Sequence, residues 1–174
     1  KLKYLFESTN IIPGRYEIKP SMTYVELMED IFEGNLQQFR FTIIEGTVAK
    51  DALSKLRQII KNNNLNFQIS SKTLEIFSKE SLILPDTYFF TDRQQLERLM
   101  INQKIRLDNI LTRLWENKPK DNPLKSINEA LVLASIVERE AAVEWERAQI
   151  SSVFLSRIRD GWRLDADPTL IYGY

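Results

Sequence analysis

Apolar residues fall into a repeated rhythm over the first third of the chain. Residues 16–31 (YEIKPSMTYVELMEDI) and 41–56 (FTIIEGTVAKDALSKL) each read as an extended start, a turn, and apolar positions at three- and four-residue spacing. Ile18 aligns with Ile43, Leu27 with Ala52 and Ile31 with Leu56, while Pro20-Ser21 and Glu45-Gly46 supply the turns. The pattern predicts two strand-turn-helix units around one small core, either a weak internal repeat or two unrelated αβ units. Gly34 through Gln38 reads as a helix stop and a loop between them.

KNNNLNFQISSK (61–72) is rich in Asn and Ser and predicts a loop or linker, with a soft domain boundary before or within it. SLILPDTYFF (81–90) predicts an extended segment turned by Pro85-Asp86. A long amphipathic helix is expected from Asp92 to about Asn117, its stripe built from Leu96, Leu99, Met100, Leu107, Ile110, Leu111 and Leu114. KPKDNP (118–123) breaks it. Ser126 and Glu129 have the spacing of a capping box, so the next helix begins at Ile127. A last helical pattern through Ile150, Val153, Phe154, Arg157 and Ile158 stops near Gly161.

Composition narrows the chemistry. The 174 residues are 43% hydrophobic and 28% charged, a profile of globular protein. Lys plus Arg and Asp plus Glu balance at 24 each, and the basic residues are scattered, which argues against a nucleic-acid partner. No apolar run is long enough to span a membrane and no signal-peptide pattern is present. Cys and His are absent, so disulfides, thiol nucleophiles, Ser-His catalysis and the usual zinc ligand sets drop out. Acid-base chemistry is left to carboxylates, Lys or Tyr.

One carboxylate stands out. In EALVLASIVEREA, Glu138 follows an almost wholly apolar stretch that reads as buried helix. At about 100° per residue, Leu131, Ala134, Ala141, Ala142 and Trp145 project within about 45° of it. Such small neighbours predict a hollow over the helix, with Glu138 at its floor and Trp145 as a wall. A carboxyl held among apolar groups has its charged form disfavoured, the state a general acid needs. The competing reading is a structural ion pair with Arg157 or Arg163. Glu140 projects almost oppositely, where it faces water or pairs with Arg147.

ALVLASIVEREA and ERAQISSVFLSRIRDGWRLDADPTLIYGY closely resemble the endolytic murein transglycosylases of the MltG (YceG-like) family, and ESLILPDTYFF resembles that family's Pro-Asp-Thr segment. The resemblance implies an α+β fold: a LysM-like strand-turn-helix region over residues 1–60, then a mainly helical catalytic domain over 61–174, truncated at its C-terminal end. It puts Glu138 at the catalytic position and Arg157, Asp167, Thr169 and Tyr172 in the substrate groove. Ser81, Ser156 and Asp165 depart from the residues usual in the family.

The activity so implied is endolytic cleavage of the bond between N-acetylmuramic acid and N-acetylglucosamine inside peptidoglycan strands, leaving 1,6-anhydromuramoyl ends. The alternative is a peptidoglycan-binding module or an inactive fragment of such an enzyme. The resemblance implies neither cofactor nor metal. It implies glycan strands and cell wall synthesis proteins as partners, and an extracytoplasmic location with an anchor in the bacterial membrane through a segment before Lys1.

Overall fold

The structure is a computed structural model that describes residues 11–79 and 83–164. Six helices and two strands are assigned among them, a mixed α+β arrangement.

Helix α1 (Tyr24–Glu33) begins at a reciprocal cap, in which Thr23 accepts from the Glu26 amide and the Glu26 carboxylate accepts from the Thr23 amide at 2.7 Å. Gly34, at φ 74°, ends it in the left-handed region. No residue of α1 is fully buried. The strand expected just before it is absent: residues 15–19 form no ladder, and Ile18 is 71% exposed where its counterpart Ile43 is buried. A single backbone bond, from the Gln37 amide to the Arg15 carbonyl at 2.7 Å, does not make a ladder.

The second unit has the expected form. Strand β1 (Phe39–Ile43) alternates inward and outward, a turn follows at Glu45-Gly46, and α2 (Ala49–Asn62) buries Ala52 and Leu56 one turn apart. Gly46 sits at φ 72°, a conformation that disfavours any side chain. β1 finds its partner in β2 (Asp86–Phe90), antiparallel, with Phe39 opposite Phe90 and Phe41 opposite Tyr88. The rings of the first pair lie 5.8 Å apart and those of the second 6.2 Å.

Two strands alone are marginal in water, so the sheet depends on what covers it. The cover comes from α2, from the short helix α3 (Ser71–Ile76) and from the first half of α4 (Arg93–Glu116). Asp92 caps α4 by accepting from the Gln95 amide at 2.8 Å, and that bond holds its carboxyl below the ordinary value. Phe41 and Phe90 are wholly enclosed, packed with Leu56, Leu96 and Met100. α2 runs through residue 61, and buried residues from before it (Phe41, Leu56) and after it (Phe77, Phe90, Leu96) share one core.

A second, smaller core lies between α5 (Ile127–Glu140) and α6 (Glu146–Arg159), where Leu133, Ile136 and Val137 meet Phe154. Ser126 caps α5 through the Glu129 amide at 3.1 Å. Glu129 reaches back one residue further than a simple capping box, accepting from Lys125 N–H at 2.7 Å.

Candidate active site

Helix α5 carries two adjacent stripes. Leu133, Ile136 and Val137 face α6, whereas Leu131, Ala134, Ser135 and Glu138, spaced as i, i+3, i+4 and i+7, line a cleft of about 270 Å³. The opposite side of the cleft belongs to the sheet core through Ile43, Ala52, Ile76 and Phe77, with Leu107 of α4 beside them. Apolar walls with a few polar groups, here Glu45, Thr47, Lys79, Ser135 and Glu138, make a plausible setting for a ligand. The cleft lies over Leu131, Ala134 and Ser135 and not over Ala141 or Ala142, at the seam of the two cores.

Two contacts fix the seam beside Glu138. Arg139 donates to the Gly46 carbonyl at 3.1 Å, and a Cβ built on Gly46 would meet Glu138 Cγ at 4.0 Å. The turn after β1 thus faces the carboxylate, whose side chain keeps 29% of its surface exposed. A group entering the cleft can approach it.

Glu138 is nevertheless occupied. Arg147 donates Nε–H to Oε2 at 2.9 Å and Nη2–H to Oε1 at 3.0 Å, a two-pronged ion pair. The bond and charge of Glu138 raise the Arg147 guanidinium above its ordinary value, with smaller contributions from Glu144 and Glu45. This arrangement corrects two expectations: the partner is neither Arg157 nor Arg163, and Arg147 pairs with Glu138 and not Glu140.

The cause is a break in the chain after Glu140. Ala141 leaves the helix at ψ 118°, and α6 restarts at Glu146, whose carboxylate accepts from the Ala142 and Val143 amides at 3.0 and 3.3 Å. On one continuous helix, Arg147 would lie nine residues on and about 180° away from Glu138. The break carries it round. The same break removes Trp145 from the stripe, leaving it 67% exposed and not a wall of the cleft.

Arg157 is held elsewhere: its Nη1 donates to the Leu164 carbonyl after the end of α6. Glu140 is exposed and does not line the cleft. Asp167, Thr169 and Tyr172, like Ser81 and Asp165, lie outside the described residues. Among the described residues, no group of three acidic side chains is placed to hold a metal ion.

The profile of the YceG-like family matches residues 1–174. The chain belongs to the YceG-like family. An endolytic murein transglycosylase of Bacillus subtilis (strain 168) is 25% identical over 182 residues, which take in 91% of this chain and 50% of that protein. The chain thus spans about half the length of this curated relative. A crystal structure of a YceG-like protein from Listeria monocytogenes superposes with a TM-score of 0.53 at 20% identity, covering 90% of this chain and 59% of that one. That likeness concerns the fold.

Within this YceG-like chain, sequence reasoning missed Arg147, Glu45 and Lys79 as neighbours of the site. Glu45-Gly46 is legible as a turn, but its approach to α5 joins residues 93 positions apart, as in the Arg139–Gly46 bond. No local pattern announces a contact of that range.

Proposed function

We propose that this chain forms part of an endolytic lytic transglycosylase acting on peptidoglycan, with Glu138 as its acid-base residue. The observation that carries the reading is the reachable Glu138 carboxylate on the cleft-facing stripe of α5, in a YceG-like chain similar to a named murein transglycosylase. Protonated Glu138 donates to the oxygen between N-acetylmuramic acid and N-acetylglucosamine as the muramoyl C1 gains oxocarbenium character. The resulting carboxylate then accepts the proton of the muramoyl C6 hydroxyl, and O6 closes on C1 to give a 1,6-anhydro end. One carboxylate serves both steps and no water enters. Arg157, Asp167, Thr169 and Tyr172 are assigned to saccharide contacts on the strength of the motif match.

The reading places the working protein outside the cytoplasm, where its glycan substrate lies. Among the described residues no helix is long and apolar enough to cross a membrane. A LysM-like character for residues 1–60 is supported only by the unit of β1 and α2, which has strand-turn-helix form.

Glu45 gives a second reading some footing. It is the other carboxylate among the described lining residues, and a conventional glycoside hydrolase uses a pair. Product mass separates the two. Full-length protein digesting purified peptidoglycan is expected to yield anhydromuramoyl ends, each lighter by one water than a hydrolysed end. Reducing ends in their place would establish hydrolysis, and binding without turnover would identify a glycan-binding module.

A further inference from the structure

A carboxyl that donates a proton needs one oxygen free to carry it, yet Arg147 occupies both oxygens of Glu138. A guanidinium fork fixes the plane of a carboxylate and favours its charged form. Arg147 therefore orients Glu138 and, in the same contact, opposes its use as an acid.

The surroundings of Arg147 offer a way out. It stands in the first turn of α6, beyond the irregular link after Glu140, so its backbone is not part of the helix that bears Glu138. Its side chain is 43% exposed, and an ion pair shared with solvent opens at little cost. Two further carboxylates stand nearby: Glu45 lines the same cleft on the turn that faces Glu138, and Glu144 lies in the link three residues before Arg147, and the charge of each favours the Arg147 cation. Of the other cations nearby, Arg139 is engaged by the Gly46 carbonyl, and Lys79 lines the cleft from the sheet core.

We propose that Arg147 is a positioning residue with alternative partners: it clamps Glu138 in the free protein and transfers to Glu45 or Glu144 when a saccharide enters the cleft. Released, Glu138 takes a proton from solvent and delivers it to the glycosidic oxygen. After ring closure it holds the proton from the C6 hydroxyl, which passes to solvent as Arg147 re-pairs. The proposal rests on the reading of Glu138 as the acid-base residue.

The test is the pH dependence of anhydromuramoyl-end formation by full-length protein carrying Arg147→Gln, Arg147→Lys or Glu138→Gln. Losing a cation from beside an acid lets the acid keep its proton to higher pH. Arg147→Gln is therefore expected to move the alkaline limb of kcat/KM, set by the free protein, up by about one pH unit or more, and to leave the limb of kcat, set by the complex that Arg147 has already released, at the wild-type position. Arg147→Lys keeps the charge and is expected to keep both wild-type limbs. A kcat/KM limb of Arg147→Gln at the wild-type position overturns the proposal, as does a kcat limb displaced along with it. If Arg147→Gln fails to fold, the double variant Glu45→Gln/Glu144→Gln decides: without an alternative partner Arg147 stays on Glu138 and kcat for anhydromuramoyl ends should fall, and a wild-type kcat overturns the proposal. Absence of anhydromuramoyl ends from wild type, or full turnover by Glu138→Gln, instead sinks the reading of Glu138 itself, whatever Arg147 does.

Discussion

Among the described residues, eleven buried side chains close the core around β1 and β2, and four close the core between α5 and α6. The first is dominated by aromatic rings from residues far apart in the chain, enclosed by three helices. The second rests on Phe154 seated against Leu133, Ile136 and Val137 of the neighbouring helix. The candidate acid belongs to the thinner layer, while much of the cleft wall opposite belongs to the thicker one. A rigid wall and a lightly packed helix pair make different contributions to a site. The wall is closed by eleven buried side chains, whereas Arg147 and Glu138 stand on two helices that share a core of four. Segments with few buried contacts are the ones that open locally at low free energy.

The largest effect on stability is expected at the centre of the larger core. Phe41→Ala should cost about 3–5 kcal/mol in urea unfolding, since an enclosed ring leaves a cavity that paired strands cannot collapse. Phe154→Ala should cost less, near the lower end of that range at about 3 kcal/mol, because the helix pair can close over part of the gap. Amide exchange sharpens the contrast: Phe154→Ala should speed exchange in α5 and α6 and leave β1 and β2 protected. Equal loss of protection in both regions would make the two cores one cooperative unit.

The smallest effect is confined to high pH. Burial, with a further push from Asp86, raises the Tyr88 hydroxyl to about 12 against the lowering by Arg106, and the hydroxyl donates to the Leu84 carbonyl. In the unfolded chain the phenol ionises near its ordinary value of about 10. The contribution of neutral Tyr88 is thus complete below about pH 10 and is lost as pH rises towards about 12. Tyr88→Phe should flatten the fall in stability across that window. An unchanged slope would assign alkaline unfolding to other groups.

Much of this architecture is legible where local chemistry determines it. Asp92, Ser126, Gly34 and Gly161 mark helix ends because caps and left-handed stops are written in neighbouring residues. The Glu138 stripe is legible for the same reason, since a helix fixes the bearing of Leu131 and Ala134 relative to it. The pairing of β1 with β2 is not, because residues 39–43 bond to residues 86–90 through no signal either segment carries alone. Two similar strand-turn-helix patterns mislead, as among the described residues the second pairs with a partner strand and the first does not. Arg147 escapes for a subtler reason: the break after Glu140 contains neither Gly nor Pro, and the carboxylate of Glu146 stabilises it from four residues beyond Ala142. Helical periodicity then points Arg147 to the wrong face.

The most direct test of the account compares Glu138→Gln with Glu140→Gln in full-length protein, measuring anhydromuramoyl ends released from purified peptidoglycan alongside thermal unfolding. Glu138→Gln keeps the side-chain shape but cannot carry the transferred proton, so release should fall at least about 100-fold, the scale of a lost general acid, with the sheet core still folded. Glu140→Gln, exposed and outside the cleft, should retain release close to wild type. Wild-type release by Glu138→Gln, or an equal loss in both variants, would contradict the assignment of the chemistry to the cleft-facing stripe of α5.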